Sequence, residues 1–263
     1  MQTQATAALL HSWTSFLVSS LLILIRISGM MVFVSPFSSK AIPARIKMLL
    51  SVALTFVVTP IAAVSQTPPR LALDTILGEL SVGLLLGICV ALLEETLSFA
   101  GYLLNLEFSF SLVNVLDPST NVQSPLMSQF TGLILVTVLF CGGYYRVVIE
   151  ALFRTMVVVP VGHARFDAIV APTIVNMLGG ILLAGLQLAS PIMAATFLVQ
   201  VAIALVGKLS PSLPVMIVGI PLKTLTGFFV LIASLGLWPR FIDSRFSALL
   251  DAAMQLMQRH VKA

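Results

Sequence analysis

The chain is long but sparsely charged: 59% of its 263 residues are hydrophobic, only 9% are charged, and the formal net charge is +4. A soluble domain carries about 25% charged residues, so this composition excludes a globular protein with a surface that faces water on all sides. Uncharged runs at 48–69, 118–145 and 168–207 could each cross a bilayer, which takes roughly 20 residues. The sequence therefore predicts an all-α, multi-pass membrane protein.

The first two predicted helices flank a basic segment. The first helix covers 11–34 and ends before Pro36, because proline disfavours the helical conformation at the residue that precedes it. The second helix covers 44–64. The segment 35–47 carries three basic residues and no acidic one, and basic segments beside apolar helices prefer the cytoplasm. The tail at 240–263 is also basic. The sequence does not fix the number of membrane crossings between this tail and the segment 35–47, so it leaves the orientation open.

The third predicted helix, 71–106, is longer than a bilayer core requires. At 1.5 Å per residue it would extend roughly 54 Å, so we expect it to tilt, break or project from the membrane. Gly83 and Gly87 lie on it in a GxxxG spacing, which permits close contact with a second helix. The alternative is that both are ordinary glycines of a membrane helix.

Breakers divide the second half of the chain. A helix at 125–140 is interrupted by the sequence CGGYY, and a short helix follows at 146–158. The run 168–207 could hold two short legs folded against each other, because a glycine pair, a further glycine and a Ser-Pro step lie within it. The last apolar block is expected to break at Gly219 and Pro221.

Carboxylates on the third helix are the main candidates for membrane chemistry, since ionisable groups inside a bilayer are usually functional. They could form a proton relay of an ion-coupled transporter, or they could pair with Arg or Lys on neighbouring helices or subunits. We favour the pairing. An intramembrane metalloprotease of the EExxxR type would need arginine where Phe99 stands, and no phosphate-binding loop is present, so we predict no enzyme. The carboxylates are Glu79, Glu94, Glu95 and Glu107.

No cofactor, metal or nucleic acid is indicated by the sequence. The two cysteines, Cys89 and Cys141, lie in apolar helical stretches without a CxxC or Cys/His neighbourhood, so we interpret both as small buried hydrophobic residues. The basic residues are scattered and form no patch with interleaved aromatic residues, which argues against nucleic-acid binding.

The segment LNLEFSFSLVNVLDPST, residues 104–120, is the least expected part of so apolar a chain. Between 108 and 112 large apolar residues alternate with serines, a period of two that favours an extended backbone, although a continued helix is the competing interpretation. Extended backbone at membrane depth must be buried in protein or line a watery cavity. We therefore predict a loop enclosed in an assembly, at or across a passage; the alternative is an ordinary polar connection.

Four motifs resemble one known family. They are AIPARIK at 41–47, NLEFSFSLVNVLDPST at 105–120, GGYYRVVIEALFRTMVVVPVG at 142–162, and the long block at 188–227 that contains LASP, KLSP and GIPL. Together they are similar to the flagellar biosynthetic protein FliR family and its injectisome counterparts in type III secretion. The likeness covers about 10–250.

The resemblance implies one subunit of a conical export gate built from broken helices and helical hairpins. Its partners would be FliP-like and FliQ-like subunits, other membrane proteins of the export apparatus and membrane lipid, in the bacterial inner membrane at the flagellar basal body. Unfolded protein substrates would pass through a central channel that the subunit helps to form and close, without enzymatic activity or a cofactor. The implied subdivision is N-terminal helices at 10–106, a plug-like loop at 107–123, helical hairpins at 124–239 and a C-terminal tail at 240–263.

The family's channel plug maps onto the unusual segment. The residues implied to plug or line the channel are Glu107, Phe108, Phe110, Leu112, Val115, Asp117 and Pro118.

Two departures from the family suggest a divergent member. The family usually has a sequence near GxQMG where this chain has Glu107, Phe108 and Ser109, and it has Gly-His where this chain has Tyr144 and Tyr145. The alternative function is a stand-alone multi-pass ion-coupled transporter or channel.

Overall fold

The computed structural model describes residues 2–34, 42–62, 71–108, 126–164, 170–210 and 215–262. The regular elements of this described part are all helical, which confirms the predicted fold class. In chain order they are α1 (Gln2–Phe33), α2 (Ala44–Ala62), α3 (Leu73–Glu107), α4 (Leu126–Cys141), α5 (Tyr144–Val158), α6 (Val170–Leu209), α7 (Val215–Ser234), a 3-10 turn (Leu235–Leu237) and α8 (Trp238–Lys262).

The helices include several potential membrane crossings. Within the described residues, four spans are long and apolar enough to cross a bilayer: Trp13–Phe33, Leu73–Glu107, Met177–Leu209 and Ile217–Met257. The pair α4 and α5, broken at a glycine in the left-handed region, Gly143 with φ 70°, could form a fifth. This pattern confirms the predicted multi-pass membrane protein.

The chain divides into two compact units. The first unit comprises Met1–Ala91, Gly142–Val175 and Phe246–Ala263, and the second comprises Leu92–Cys141 and Asn176–Arg245. Helix α3 contributes its first half to the first unit and its second half to the second.

The first unit is organised by close contact between α1 and the first half of α3. A side chain at Gly83 would collide with the carbonyl oxygen of Arg26, and a Cβ at Gly87 would lie 2.7 Å from the carbonyl oxygen of Met30. The two glycines of the GxxxG spacing therefore lie where two helix backbones approach each other. Elsewhere in this unit the rings of Tyr144 and Phe246 meet edge to face, with centroids 5.3 Å apart.

The second unit packs the second half of α3 against α4 and α6. The hydroxyl of Thr131 on α4 donates to the carbonyl oxygen of Leu97 on α3 at 2.9 Å. Gly101 lies against that threonine, and a Cβ at Gly185 on α6 would lie 3.0 Å from a carbonyl oxygen of α3. Small residues thus bring these helices close together, as is common in membrane bundles.

The prediction that 168–207 holds two legs is wrong, since α6 is one helix from Val170 to Leu209. Pro191 lies inside it and lacks the N–H that would bond to the carbonyl oxygen of Gln187. The Ser190 hydroxyl donates to that same oxygen at 2.9 Å and supplies the missing donor. A hydroxyl that satisfies a freed carbonyl allows a membrane helix to continue through proline.

The break expected at Gly219 and Pro221 is likewise absent, because α7 contains both residues. Pro221 lies near the start of α7, and a proline removes a single helical hydrogen bond there while the apolar surroundings favour a continued helix. The long third helix, in contrast, agrees with the sequence prediction to within two residues at each end.

The two cysteines differ in their surroundings. Cys89 is buried, as we expected, whereas Cys141 at the end of α4 is exposed. The interpretation of Cys141 as a buried hydrophobic residue is therefore wrong for this chain by itself, because apolar sequence context does not distinguish a helix face that packs internally from one that faces outward.

Candidate functional site

The candidate site lies in the second unit, where α3 ends. Glu107 is the last residue of α3, and Phe108 follows it in a turn, with its N–H bonded to the carbonyl oxygen of Leu104 at 2.9 Å. The C-terminus of a helix carries partial negative charge, so a carboxylate there is unfavourable unless a cation or a donor compensates it.

Two side chains from other helices supply that compensation. The ammonium group of Lys223 on α7 lies 3.0 Å from Oε2 of Glu107, and the Thr196 hydroxyl on α6 donates to the same oxygen at 2.8 Å. Thr196 is fully buried, and the two charged side chains are only 16% (Lys223) and 23% (Glu107) exposed. Lys223 also donates weakly to Gln200 on α6, at 3.5 Å. One carboxylate at the end of α3 therefore contacts the middle of two further helices, α6 and α7.

Phe108 occupies an apolar socket on the same helix α7. Its side chain is buried and its ring stacks on Phe228, with centroids 4.7 Å apart and planes 20° from parallel. The edge of the ring lies against Gly227, where any Cβ would collide with it. The Thr224 hydroxyl donates to the Phe108 carbonyl oxygen at 3.3 Å. Both the ring and the backbone of Phe108 are thus held by one stretch of α7.

The structure brings together the first two residues of the expected plug, Glu107 and Phe108. Both contact side chains of their own unit. The other five expected plug residues lie outside the described residues; they are Phe110, Leu112, Val115, Asp117 and Pro118.

A second polar cluster lies in the first unit. Nε of Arg26 on α1 pairs with Oε2 of Glu79 on α3 at 2.6 Å, and both side chains are completely buried. The guanidinium group also donates to the Thr155 hydroxyl at 3.2 Å and to the Val159 carbonyl oxygen at 3.0 Å. The other Glu79 oxygen accepts the Gly162 N–H at 2.8 Å. The favoured interpretation of the α3 carboxylates, pairing with basic side chains on neighbouring helices, is confirmed for Glu79 here and for the carboxylate that ends α3.

Within the part of the chain that the structure describes, no group of three His, Cys, Asp or Glu side chains could hold a metal ion. The chemistry of both clusters is instead that of charge pairs closed by hydroxyl and backbone groups. Such pairs hold helices in position.

Residues 17–249 match the model of a family described as bacterial export proteins, family 1. The chain belongs to this family. It is 26% identical to the flagellar biosynthetic protein FliR of Bacillus subtilis, over 90% of this chain and 93% of that protein. It is 21% identical to FliR of Escherichia coli, over 92% and 93% of the two chains. The Yop proteins translocation protein T of Yersinia pestis is 28% identical over 59% of this chain and 60% of its own length.

Membership of export family 1 confirms the resemblance that the four sequence motifs indicated. The sequence alone nevertheless did not identify the side chains that pair with Glu79 and Glu107. Lys223 stands alone among the apolar residues of α7, and an isolated cation in a membrane helix signals a paired or functional group. That signal could have identified Lys223 as a partner for a carboxylate, although not which one. No local pattern marks Thr196, whose role depends on a contact 89 residues away along the chain.

Proposed function

We propose that this chain is a subunit of a bacterial type III protein export gate. The match to the export family over residues 17–249 carries the proposal, and the names of the relatives, which include flagellar and Yop translocation proteins, agree with it. The four potential membrane spans support a place in the bacterial inner membrane, and the flagellar relatives favour the flagellar basal body. The role is structural and requires no enzymatic step.

The proposed partners are FliP-like and FliQ-like subunits, together with other membrane proteins of the export apparatus. The support within this chain is the apolar helix surface that its own residues leave uncovered. Only 11% of the apolar window in Met177–Leu209 is buried, against 61% of the window in Leu73–Glu107. Helices with so little internal packing need lipid or other subunits around them. Affinity purification of the tagged chain from its native membrane tests this. We expect a fixed heteromeric complex, whereas a monodisperse chain that binds a small ligand would favour a transporter.

The proposed mechanism of closure is steric. The segment 107–118 blocks the channel against ions, and an unfolded substrate displaces the part of it that follows Phe108. Its start is held firmly, because Glu107 is ion-paired and Phe108 is buried in its socket, and a held start is what a plug needs in order to return to one position. Apolar side chains in the segment suit this role, since hydrophobic constrictions can stop ion flow by excluding water.

Shortening the plug tests this mechanism. Residues 109–117 are replaced by a short Gly-Ser linker, and Glu107 and Phe108 are retained so that the end of α3 keeps its contacts. We expect the complex to assemble in normal amount and the membrane to become leaky to ions, measured as conductance per purified complex in planar bilayers. Conductance that is unchanged in the assembled complex would contradict the plug role.

A further inference from the structure

We propose that the contacts at the end of α3 form a root clasp, which fixes the start of the plug segment and thereby sets how often the closed channel opens. This inference rests on the proposed function and concerns the regulation of the same segment. The clasp is a positioning device, which holds the last residue of α3 and the residue that follows it. The root clasp consists of Glu107, Phe108, Thr196, Lys223 and Phe228.

The polar half of the clasp is the ion pair of Glu107 and Lys223, and we expect it to be stronger than an ordinary surface ion pair. Exposed pairs contribute little because water screens them, but Glu107 and Lys223 are both largely shielded. The Glu107 carboxylate also lies at a helix C-terminus, where its charge is unfavourable without the nearby ammonium group. The Thr196 hydroxyl adds a second contact to the same oxygen. Removing Lys223 would therefore leave a carboxylate that is poorly solvated and repelled by its own helix.

The apolar half fixes the very next residue. Phe108 is 2% exposed and stacked on Phe228, and its ring occupies space that is free only because Gly227 has no side chain. Stacked aromatic pairs contribute beyond the area they bury, and their geometry defines one orientation of the ring. The Thr224 hydroxyl, which donates to the Phe108 carbonyl oxygen, adds to this.

A single face of α7 holds both halves. Lys223 and Gly227 are four residues apart, as are Thr224 and Phe228, so these side chains form two adjacent rows on one side of the helix. The first row contacts Glu107 and Phe108, and the second contacts the backbone and the ring of Phe108. Glu107 and Phe108 are thus held by residues 223–228 of α7, although the two segments lie 116 residues apart along the chain. Such an arrangement sets where the chain leaves α3, which is the point from which residues 109–125 start.

The test compares charge variants in the complete export complex. Lys223→Glu places two carboxylates in contact, and we expect conductance per complex to rise about tenfold, because the two like charges repel each other and release Glu107 from its position. Glu107→Gln keeps an oxygen for the Thr196 hydroxyl and loses the charge, so we expect a smaller rise of the same sign. The double variant Glu107→Lys with Lys223→Glu restores the pair and should return conductance towards the native value. The matched control is Lys208→Glu, which makes the same charge change at an exposed position at the end of α6 and should leave conductance unchanged.

Normalising conductance to the amount of purified complex distinguishes an effect on channel closure from a loss of folded protein. If Lys223→Glu fails to assemble, Glu107→Gln provides the test. Native conductance in both single variants, while the plug-shortened chain leaks, would overturn the clasp and leave the plug standing. A leak in Lys223→Glu that the charge swap does not reduce would also overturn it, because Lys223 would then act through another partner. A plug-shortened complex that does not leak would instead overturn the proposed closure itself, and the clasp with it.

Discussion

The buried pair of Arg26 and Glu79 allows a quantitative test of how a membrane helix tolerates charge. Both side chains are fully buried, and one Glu79 oxygen accepts from Arg26 at 2.6 Å while the other accepts the Gly162 N–H. Removing one member of such a pair leaves the other charge buried without compensation, which costs about 3–5 kcal/mol. We therefore expect Arg26→Met and Glu79→Gln each to lower the free energy of unfolding by about that amount.

The double variant Arg26→Met with Glu79→Gln should be less damaging than either single change. It contains no buried charge, and the glutamine oxygen can still accept the Gly162 N–H. The carbonyl oxygen of Val159 loses its donor, at a cost of about 1–3 kcal/mol. The Thr155 hydroxyl keeps its bond to a carbonyl oxygen of its own helix, at 2.6 Å. The coupling between the two substitutions should therefore reach about 3 kcal/mol or more.

The assay is unfolding of the purified chain by SDS in mixed micelles, followed by far-UV circular dichroism, in a double-mutant cycle. The control cycle uses Arg154→Met and Glu150→Gln, which break a helical i,i+4 pair whose side chains are 70% and 55% exposed. Exposed pairs of this kind contribute about 0.3–0.5 kcal/mol, so the control cycle should be nearly additive. Additivity within about 0.5 kcal/mol for the buried pair as well would refute the reasoning.

Two further predictions concern packing. Gly83→Ala should destabilise the chain strongly in the same assay, because its Cβ would collide with the Arg26 carbonyl oxygen. The control Gly132→Ala meets nothing within 4 Å and should be neutral or stabilising by up to about 1 kcal/mol. Equal losses of unfolding free energy in the two variants would show that the α1 and α3 backbones are not in contact. For the isolated chain in detergent, a maleimide should label the exposed Cys141 readily and the buried Cys89 only after unfolding, as measured by mass spectrometry of the peptides; early labelling of Cys89 would contradict its burial.

The fold was largely predictable because its strongest signal is compositional. Long apolar runs determine where helices form, so the existence of the helices and the limits of α3 followed from the sequence. The predicted breaks in α6 and α7 failed for a different reason. The rule that proline ends a helix assumes that the freed carbonyl must find water, yet the Ser190 hydroxyl satisfies the carbonyl freed by Pro191 from within the helix.

The candidate site was predictable only at its start. Its unusual composition drew attention to Glu107 and Phe108, but their partners are on α6 and α7, and no local periodicity connects positions so far apart in the chain. Gly227 illustrates the limit. In the sequence it is one more glycine in a membrane helix, whereas in the structure its missing side chain provides the space for the Phe108 ring.

The ion pairs also bear on the transporter alternative. A proton relay needs carboxylates that gain and lose protons during each cycle. Glu79 is held by a guanidinium group and a backbone N–H, and Glu107 is held by an ammonium group and a hydroxyl. In both cases the carboxylate links α3 to a basic side chain on another helix of the same unit. Two of the four α3 carboxylates are therefore engaged in ion pairs between helices, which favours the pairing interpretation over a proton relay.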